Sequence, residues 1–350
     1  MVFSMVSTAA VGAGRPNEVE SDAMKAIVTG IAGFIGFHTA RALLDAGHSV
    51  VGIDNLNDYY SVQLKRDRLL ELARVRPFEM HESDVSDLSA MRALFSRHAD
   101  ATHVVHLAAQ AGVRHSLEQP ASYVSSNVMG QLAVFEAARQ LRHLVHVLYA
   151  SSSSVYGANK QVPFSVEQRV VSPVSLYAAT KLAAEHIAEC YGHLHRIPAT
   201  GFRFFTVYGP WGRPDMAAYK FARQIVAGET ISVFNHGDMS RDFTYIDDIV
   251  RGMMLALDKP PLPNEYGSPH RLYNLGNHRP TPLLEFIALL EQALGRPAVM
   301  QLEPMQKGDV KETYADITQT REDFGFDPKT TIETGIPRFV DWFKAYHNVN

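Results

Sequence analysis

From Met24 onward, short apolar runs alternate with longer segments in which apolar residues recur at helical spacing. Continuous apolar strands that alternate with helices are typical of a parallel sheet whose two faces are both covered. The pattern therefore predicts a doubly wound α/β fold. The predicted strands span 26–29, 50–53, 78–82, 104–107, 145–150 and 199–204, and the predicted helices span 34–46, 88–98, 123–141 and 176–195.

The regular alternation weakens after residue 205, where prolines and glycines become frequent and the helices shorten. We therefore predict a first domain over 24–205 and a smaller second α/β domain over 206–350, with a discontinuous boundary between them. Residues 1–23 are small, polar and aperiodic, and we predict that they form a disordered extension ahead of the fold.

The composition argues against several functional classes. The net charge of −4 provides no basic field that would attract nucleic acid, and no stretch approaches the ~18 apolar residues of a membrane span. The single cysteine, Cys190, cannot form an internal disulfide and indicates a reducing, cytoplasmic compartment. The histidine pairs His103/His106 and His193/His195 lack cysteine or carboxylate companions at ligand spacing, so we predict no metal site.

Three glycines lie between the first predicted strand and the first predicted helix. Gly30 permits a tight turn, Gly33 lets backbone approach a phosphate, and Gly36 lets the helix pack against its strand. Asp54 ends the second strand, where a carboxylate can bind ribose hydroxyls and repel a 2′-phosphate. The arrangement predicts NAD in preference to NADP, and a generic glycine-rich turn is the alternative.

A tyrosine and a lysine stand four residues apart on one predicted helix. Tyr177 and Lys181 therefore share a face, and we expect the ammonium group to lower the pKa of the phenol from about 10, which suits it to act as a base. Ser151 to Ser154 follow the fifth strand, so their hydroxyls emerge at the carboxyl edge of the sheet, where doubly wound folds bind ligands. An exposed helix pair and a serine loop without a role are the alternatives.

These motifs, in this order, resemble the extended short-chain dehydrogenase/reductases, the family of nucleotide-sugar epimerases and dehydratases. The likeness covers nearly all of the chain from Met24 onward and includes the glycine turn, the Tyr-Lys pair and the stretch Arg241-Asp242-Phe243. The resemblance implies a Rossmann-type NAD-binding domain and a homodimer formed through helices near 121–141 and 175–195.

The resemblance also assigns roles to individual residues. It places catalysis on Ser152, Ser153, Tyr177 and Lys181. Asp84 can flank the adenine or can merely cap a helix. The predicted NAD contacts are Gly30, Gly33, Phe34, Ile35, Gly36, Asp54, Asn55, Asp84, Val85, Leu107, Ala108, Ala109, Asn127, Tyr177 and Lys181.

Several stretches are similar, more narrowly, to UDP-glucuronate 4-epimerases, among them 54–60, 208–216 and 233–237. By this resemblance Thr206 and Arg213 bind the sugar carboxylate, whereas glucose epimerases usually have asparagine at the Thr206 position. Surface roles are the alternatives for Arg213 and Arg114. The predicted substrate contacts are Arg114, Ser152, Thr206, Arg213, Val233, Arg241, Gln306 and Asp309.

The resemblance implies epimerisation at C4 of a UDP-sugar. Tyr177 takes the proton of the 4-hydroxyl while hydride passes from C4 to NAD, and the 4-keto sugar turns and takes hydride back on its other face. UDP-glucuronate is the expected substrate and UDP-galacturonate the product, which suggests acidic polysaccharide synthesis. Ser153 and Ser154 replace the Asp-Glu pair of sugar dehydratases. UDP-glucuronate decarboxylase, UDP-glucose 4-epimerase and a non-catalytic NAD-binding regulator are the alternatives.

Overall fold

The structure is a computed structural model that describes residues 24–305 and 310–349. The predicted extension over 1–23 and the predicted substrate contacts Gln306 and Asp309 lie outside the described residues. The strands are β1 (Lys25–Thr29), β2 (Ser49–Asp54), β3 (Glu79–Glu82), β4 (His103–His106), β5 (His146–Ser152), β6 (Ala199–Phe204), β7 (Thr206–Tyr208), β8 (Thr230–Val233), β9 (Ser240–Tyr245), β10 (His270–Leu275), β11 (Pro280–Pro282), β12 (Val299–Leu302) and β13 (Glu312–Thr313). The helices are α1 (Phe34–Asp45), α2 (Val62–Val75), α3 (Leu88–Arg97), α4 (His115–Glu118), α5 (Pro120–Tyr123), α6 (Gly130–Ala138), α7 (Leu176–His195), α8 (Ala217–Ala227), α9 (Ile246–Leu257), α10 (Leu283–Leu294), α11 (Thr318–Phe324) and α12 (Ile332–His347).

A parallel sheet of seven strands, in the order β10-β6-β5-β4-β1-β2-β3, forms the centre of the described molecule. The strand order reverses direction between β1 and β4, and the crevice at such a point is where doubly wound sheets bind ligands. Separate apolar clusters cover the two faces of the sheet. The predicted doubly wound α/β fold is therefore confirmed.

The seventh strand of this sheet comes from the second half of the chain. His270 to Leu275 pair in parallel with Ala199 to Phe204, and α9 packs against α1. The chain thus returns to the central sheet after residue 206, so a boundary drawn only at that residue does not follow the sheet. The division into two domains with a discontinuous boundary stays a prediction.

Smaller sheets lie over the carboxyl edge of the central sheet. In one of them β9 pairs with β7, β11 and β13, and in another β8 pairs with β12. Residues from these strands and from the glycine turn line a common cavity. The second half of the chain therefore forms one wall of the site, and the first half forms the floor.

The predicted helix over 123–141 is interrupted in the structure. Helix α5 passes directly into a π turn over Val124–Met129, and α6 continues from Gly130 to Ala138. A π turn adds a residue to one turn of a helix and is frequent at functional sites. Here it includes Asn127, which is buried beside the cavity loop.

Among the described residues, no helix is both long enough and apolar enough to span a bilayer.

Candidate active site

A cavity of about 820 Å³ opens at the carboxyl ends of β1, β2, β4 and β5, below the smaller sheets. Asp84, Asn127 and Val233 do not line it, although all three were predicted to contact a ligand. The predicted residues that do line it are Gly30, Gly33, Phe34, Ile35, Gly36, Asp54, Asn55, Val85, Leu107, Ala108, Ala109, Arg114, Ser152, Ser153, Tyr177, Lys181, Thr206, Arg213 and Arg241.

The glycine turn between β1 and α1 forms a close-fitting cradle. Gly30 has φ +71°, a conformation that favours glycine, and a Cβ there would lie 2.6 Å from the backbone nitrogen of Ala108. A Cβ on Gly36 would lie 2.8 Å from the carbonyl carbon of Gly30. The first-turn amides of α1, which begins at Phe34, have no intrahelical acceptors. The cradle thus presents amides and a positive helix end, which fits a diphosphate.

Asp54 holds a carboxylate at the end of β2. Its Oδ2 accepts a hydrogen bond from the Ala32 amide at 3.1 Å, and its Oδ1 accepts one from the Leu56 amide at 2.9 Å. Burial raises the pKa of Asp54, and the charge of Lys65 opposes that shift. The carboxylate therefore sits beside the glycine cradle, where it suits a ribose diol and disfavours a 2′-phosphate.

Asp84 acts on the cavity through a neighbour. Its Oδ2 accepts a hydrogen bond of 2.9 Å from Asn55 Nδ2, and Asn55 itself lines the cavity. Partial burial acts to raise the pKa of Asp84, but hydrogen bonds from Ser86 and Asn55 outweigh it and lower that pKa. In this structure Asp84 thus orients Asn55, and its direct contact with the cofactor stays a prediction.

Asn127 likewise orients the cavity wall instead of lining it. Its Oδ1 accepts from the Gln110 amide at 2.8 Å, and its Nδ2 donates to the Gln110 carbonyl at 3.0 Å and to Thr180 Oγ1 at 3.0 Å. The π turn thus fastens the loop after β4 to α7. Val233 is buried in the core, and its neighbours Ser232 and Phe234 line the cavity.

The catalytic side chains converge from β5 and α7. Ser175 caps α7, accepting a hydrogen bond from the Ala178 amide, and the first turn of this helix directs Tyr177 into the cavity. Ser152, at the end of β5, forms a hydrogen bond with Tyr177. Lys181, one turn further along, donates to the Ala150 carbonyl at 3.0 Å. The arrangement brings a phenol, an alcohol and an ammonium group to one end of the cavity.

The predicted electrostatics of this group need correction. The position of Tyr177 deep in the cleft raises its pKa, whereas the hydrogen bond with Ser152 and the charge of Arg213 lower it. Burial lowers the pKa of Lys181 to about 8, against the effect of Glu185. The expectation of a lowered pKa for Tyr177 is therefore wrong for this structure, since burial outweighs the hydrogen bond with Ser152 and the charge of Arg213.

A cation lies on the wall of the cavity. Arg213 Nε donates to Asp215 Oδ1 at 3.0 Å, and Tyr59 donates through its hydroxyl to Asp215 Oδ2 at 3.0 Å. Arg213 holds the pKa of Asp215 below its usual range against the opposing effect of burial. Arg213 Nη2 also donates to Asp215 Oδ2, and the guanidinium lies 6.0 Å from the centroid of the Tyr59 ring. One edge of the guanidinium is thus fixed on Asp215, and Arg213 lines the cavity.

Arg241 and Arg114 provide further positive charge. Arg241 Nη1 donates to the Ser240 and Lys311 carbonyls. Next to it, Asp242 is buried and accepts hydrogen bonds from the amides of residues 277, 278 and 315. Arg114 lies over the ring of Phe234, 4.9 Å from its centroid. Both arginines line the part of the cavity that is built by the second half of the chain.

Arg68 and His38 connect the floor of the cavity, at the glycine turn and α1, to the loop that precedes Arg213. Arg68 is fully buried and donates to the carbonyl of Ala32 in the glycine turn and to the carbonyls of Trp211 and Gly212. His38 Nε2 donates to the carbonyl of Pro210 at 2.9 Å. Trp211 has φ +61°, a strained conformation for a bulky residue, and these contacts hold the loop in place.

Sequence reasoning missed these supporting residues. Asp215 lies two positions after Arg213, and Tyr59 lies in a stretch that had been singled out, but neither position predicts their contact across the cavity. Arg68 falls in polar helical sequence that is typical of a solvated surface. The only available signal was its position on α2, directly after the second strand.

The fold and the site define a class of protein. A doubly wound sheet with a phosphate cradle and a ribose carboxylate, beside a Ser-Tyr-Lys group, is that of a nicotinamide-dependent enzyme that acts on a hydroxyl group. Residues 26–276 match the NAD dependent epimerase/dehydratase family, and the chain belongs to this family.

Known proteins of similar sequence and structure agree with this assignment. The chain is 46% identical over 331 residues to UDP-glucuronate 4-epimerase 2 of Arabidopsis thaliana, covering 92% of this chain and 76% of that protein. It is 45% identical over 335 residues to protein CapI of Staphylococcus aureus, covering 93% and 99%. The crystal structure of UDP-glucuronic acid 4-epimerase from Bacillus cereus, in complex with UDP-glucuronic acid and NAD, superposes with a TM-score of 0.83 at 33% identity and covers 92% and 100%.

Proposed function

We propose that this protein catalyses the NAD-dependent 4-epimerisation of UDP-glucuronate to UDP-galacturonate. The observation that carries the proposal is a single cavity in which Tyr177, Ser152 and Lys181 share space with Arg213 and with the glycine cradle. A base for a sugar hydroxyl and a cation for a sugar carboxylate thus lie beside a dinucleotide site. Relatives named as UDP-glucuronate 4-epimerases, and the Bacillus cereus enzyme with UDP-glucuronic acid bound, support the choice of sugar.

The residues of the cradle fit NAD. Gly30 and Gly36 leave no room for a Cβ, the first turn of α1 offers amides to the diphosphate, and Asp54 offers a carboxylate to the adenosine ribose. Lys181 would bind the nicotinamide ribose. When bound, NAD accepts a hydride from C4 of the sugar and returns it, and its cationic ring favours a phenolate nearby.

Tyr177 moves the proton in both halves of the reaction. Its phenolate oxygen takes the proton from O4 as C4 is oxidised, and the resulting phenol gives the proton back as C4 is reduced. Ser152, hydrogen-bonded to Tyr177, holds O4 in place. Between the two halves the 4-keto sugar must turn so that C4 presents its other face. Because Tyr177 recovers its starting protonation state, no net acid or base is consumed.

The sugar carboxylate must be restrained during this turn. The 4-keto form of a glucuronate is a β-keto acid, which loses CO₂ when the carboxylate bond aligns with the carbonyl π system. Arg213 keeps its Nε edge on Asp215, so its Nη1 side can bind the sugar carboxylate in a fixed direction. Thr206, on the same wall, would add a hydroxyl donor. This pair favours epimerisation over decarboxylation and a uronate over glucose.

The remaining charge suits the nucleotide. Arg241 would bind the diphosphate of the substrate, and Arg114 with Phe234 would border the far end of the cavity. The predicted contacts Gln306 and Asp309 stay proposals, because they lie outside the described residues.

The proposal is tested by incubating the purified protein with UDP-glucuronate and following the sugar signals by NMR. We expect UDP-galacturonate to accumulate to equilibrium, without CO₂. Formation of UDP-xylose and CO₂ would instead identify a decarboxylase. Turnover of UDP-glucose alone would identify a glucose epimerase, and NAD binding without turnover of either sugar would identify a regulator.

A homodimer is also part of the proposal. Val124 is 46% exposed and Met129 is 41% exposed, and both lie in the α5–α6 helical run that was predicted to pair with a second copy. Size-exclusion chromatography with light scattering should give twice the chain mass. The reducing cytoplasmic compartment and the role in acidic polysaccharide synthesis stay predictions.

A further inference from the structure

Glu79, His81 and His98 form a cluster at the edge of the central sheet. Glu79 and His81 are two residues apart in β3, the edge strand, so their side chains project from the same face. His98 caps the carboxyl end of α3 and packs beside them. None of the three lines the active-site cavity.

The polar atoms of the cluster face one common point. His81 Nε2 lies 2.7 Å from Glu79 Oε1, and His98 Nε2 lies 3.5 Å from the same oxygen. The two Nε2 atoms lie 3.3 Å apart. These three atoms are the corners of a small triangle. Ligands about 2.0–2.2 Å from a tetrahedral metal ion are themselves about 3.3–3.5 Å apart, so two sides of the triangle match one face of such a site, and the 2.7 Å side is shorter.

The polar atoms of the triangle can bind protons or a cation. A carboxylate oxygen accepts more than one hydrogen bond, so protonated Nε2 atoms of His81 and His98 can both donate to Glu79. Neutral imidazoles that carry their protons on Nδ1 instead turn both Nε2 lone pairs, together with the Glu79 oxygen, towards one point. A cation at that point binds all three atoms at once.

The chemistry of the donors selects the kind of ion. Two imidazole nitrogens and one carboxylate oxygen suit zinc or a similar transition metal, whereas magnesium and calcium favour oxygen ligands. Glu79 is 54% exposed and His81 is 19% exposed, so an ion can enter from solvent, and water can complete its coordination. Lys25 is nearby, but it forms an ion pair with Asp100 at 2.7 Å that offsets its charge.

We propose that Glu79, His81 and His98 bind one divalent transition-metal ion of the zinc class. The ion joins the edge strand β3 to the end of α3, in a place separate from catalysis. We predicted no metal site from the sequence, because Glu79, His81 and His98 do not follow a ligand spacing that is typical of metal sites. These three ligands come from a strand and from a helix end, and only the fold brings them together.

The test uses the full-length protein without a histidine tag, treated with a chelator and titrated with Zn²⁺ by calorimetry. We expect one Zn²⁺ per chain, and Co²⁺ in its place should give the intense visible absorption of a tetrahedral site. His81→Ala and Glu79→Gln change partly exposed side chains and should retain the fold, which circular dichroism checks. Each should weaken Zn²⁺ binding by about 100-fold or more, since even outer partners of metal ligands contribute about 10–100-fold.

His143→Ala provides the matched control, because His143 is exposed and distant in sequence from the cluster. This variant should bind Zn²⁺ like the unaltered protein. Zn²⁺ should also raise the unfolding temperature of the unaltered protein and not that of His81→Ala. Absence of stoichiometric binding in the unaltered protein, or unchanged affinity in His81→Ala, would overturn the proposal. Neither result depends on epimerase activity.

Discussion

Tyr177 lies at the place in the cavity where, in the proposed reaction, the sugar hydroxyl loses its proton. It stands in the first turn of α7, which Ser175 caps, and its hydroxyl meets Ser152 from β5. Lys181 donates a hydrogen bond to the Ala150 carbonyl. We propose that the three residues have separate roles: Tyr177 transfers the proton, Ser152 positions O4 and Lys181 binds the cofactor ribose.

Tyr177→Phe removes the only atom that can carry the proton while it preserves the ring. We expect kcat with UDP-glucuronate to fall by about 10²–10⁴-fold, with little change in the affinity for the sugar nucleotide. NMR progress curves and calorimetry measure the two quantities. Tyr266→Phe, at a tyrosine that is 71% exposed, is the control and should retain full activity. Comparable activity in the two variants would exclude Tyr177 as the base.

Arg213→Ala tests recognition of the carboxylate. Loss of the cation should weaken UDP-glucuronate binding by about 2–5 kcal/mol, because a desolvated charge would be left without its partner. Affinities are measured by calorimetry in a Tyr177→Phe background, so that the ligand is not turned over. UDP-glucose, which lacks the carboxylate, serves as the control ligand and should lose little affinity. An equal loss for both ligands would assign Arg213 to a general structural role.

At the scale of elements, Asp242 connects β9 with two other segments. Its carboxylate accepts from Thr244 Oγ1 and from the amides of Asn277, His278 and Ala315. Burial raises the pKa of Asp242 to about 6, and these hydrogen bonds oppose the shift. These hydrogen bonds hold β9 in place at Asp242, and the neighbouring Arg241 thereby lies on the wall of the cavity.

Asp242→Asn should disrupt the hydrogen bonds that the carboxylate accepts, because the amide NH₂ would face backbone donors. We expect a loss of at least about 1–3 kcal/mol in the free energy of unfolding, from buried donors left without acceptors. Urea denaturation measures it, and KM for the UDP-sugar should rise as Arg241 loses its support. Asp238→Asn, which affects only an exposed ion pair with Lys311, should stay within about 0.5 kcal/mol of the unaltered protein. Equal unfolding free energies of Asp242→Asn and Asp238→Asn would contradict this role of Asp242.

The sequence predicted the elements that follow from a local, repeated pattern of apolar residues. It predicted fewer of the features that depend on contacts between distant parts of the chain. The alternation of strands and helices up to residue 204 matched β1 to β6 closely, because each strand is a continuous apolar run. Strand β10 was missed, since His270 and Arg271 interrupt its apolar pattern. The π turn over 124–129 leaves no mark on helical periodicity. The glycine turn was found because its geometry demands glycine at fixed positions.

The same difference between local patterns and distant contacts applies to the residues of the site. Residues that must have one chemical type at one spacing, such as Gly30, Tyr177 and Lys181, were predicted and do line the cavity. Asp84 and Asn127 were predicted to contact the cofactor. In this structure they form hydrogen bonds with Asn55 and Gln110, which line the cavity. Asp215 and Arg68 were not predicted, because their roles arise from contacts across more than a hundred residues of chain.

For the whole molecule, three buried histidines contribute strongly to the response to acid. Burial lowers the pKa of His38 to about 4, of His106 to about 3 and of His146 to about 4. Near pH 5 the unfolded chain binds protons at all three, whereas the folded protein does not. Asp242 acts in the opposite direction, because its raised pKa keeps one proton on the folded protein at that pH. The net difference from these groups is 3 − 1 = 2 protons.

Stability should therefore fall as the pH decreases from 6.5 towards 4. The difference of two protons corresponds to about 3 kcal/mol of unfolding free energy per pH unit near pH 5. Urea denaturation between pH 7 and pH 5 measures this slope. His38→Gln retains a donor for Pro210 and should reduce the slope by about one proton, whereas His143→Gln, at an exposed histidine, should not. A slope that His38→Gln leaves unchanged would refute this assignment.

Arg68 and His38 have a consequence for the order of events during turnover. By binding helices α1 and α2 to the 210–212 loop, these two side chains join the two walls of the cavity. We therefore expect the 4-keto sugar of the proposed reaction to rotate about its own diphosphate, without separation of the two walls. A variant in which this connection is loosened should release the ketone after a single oxidation, with the cofactor left reduced.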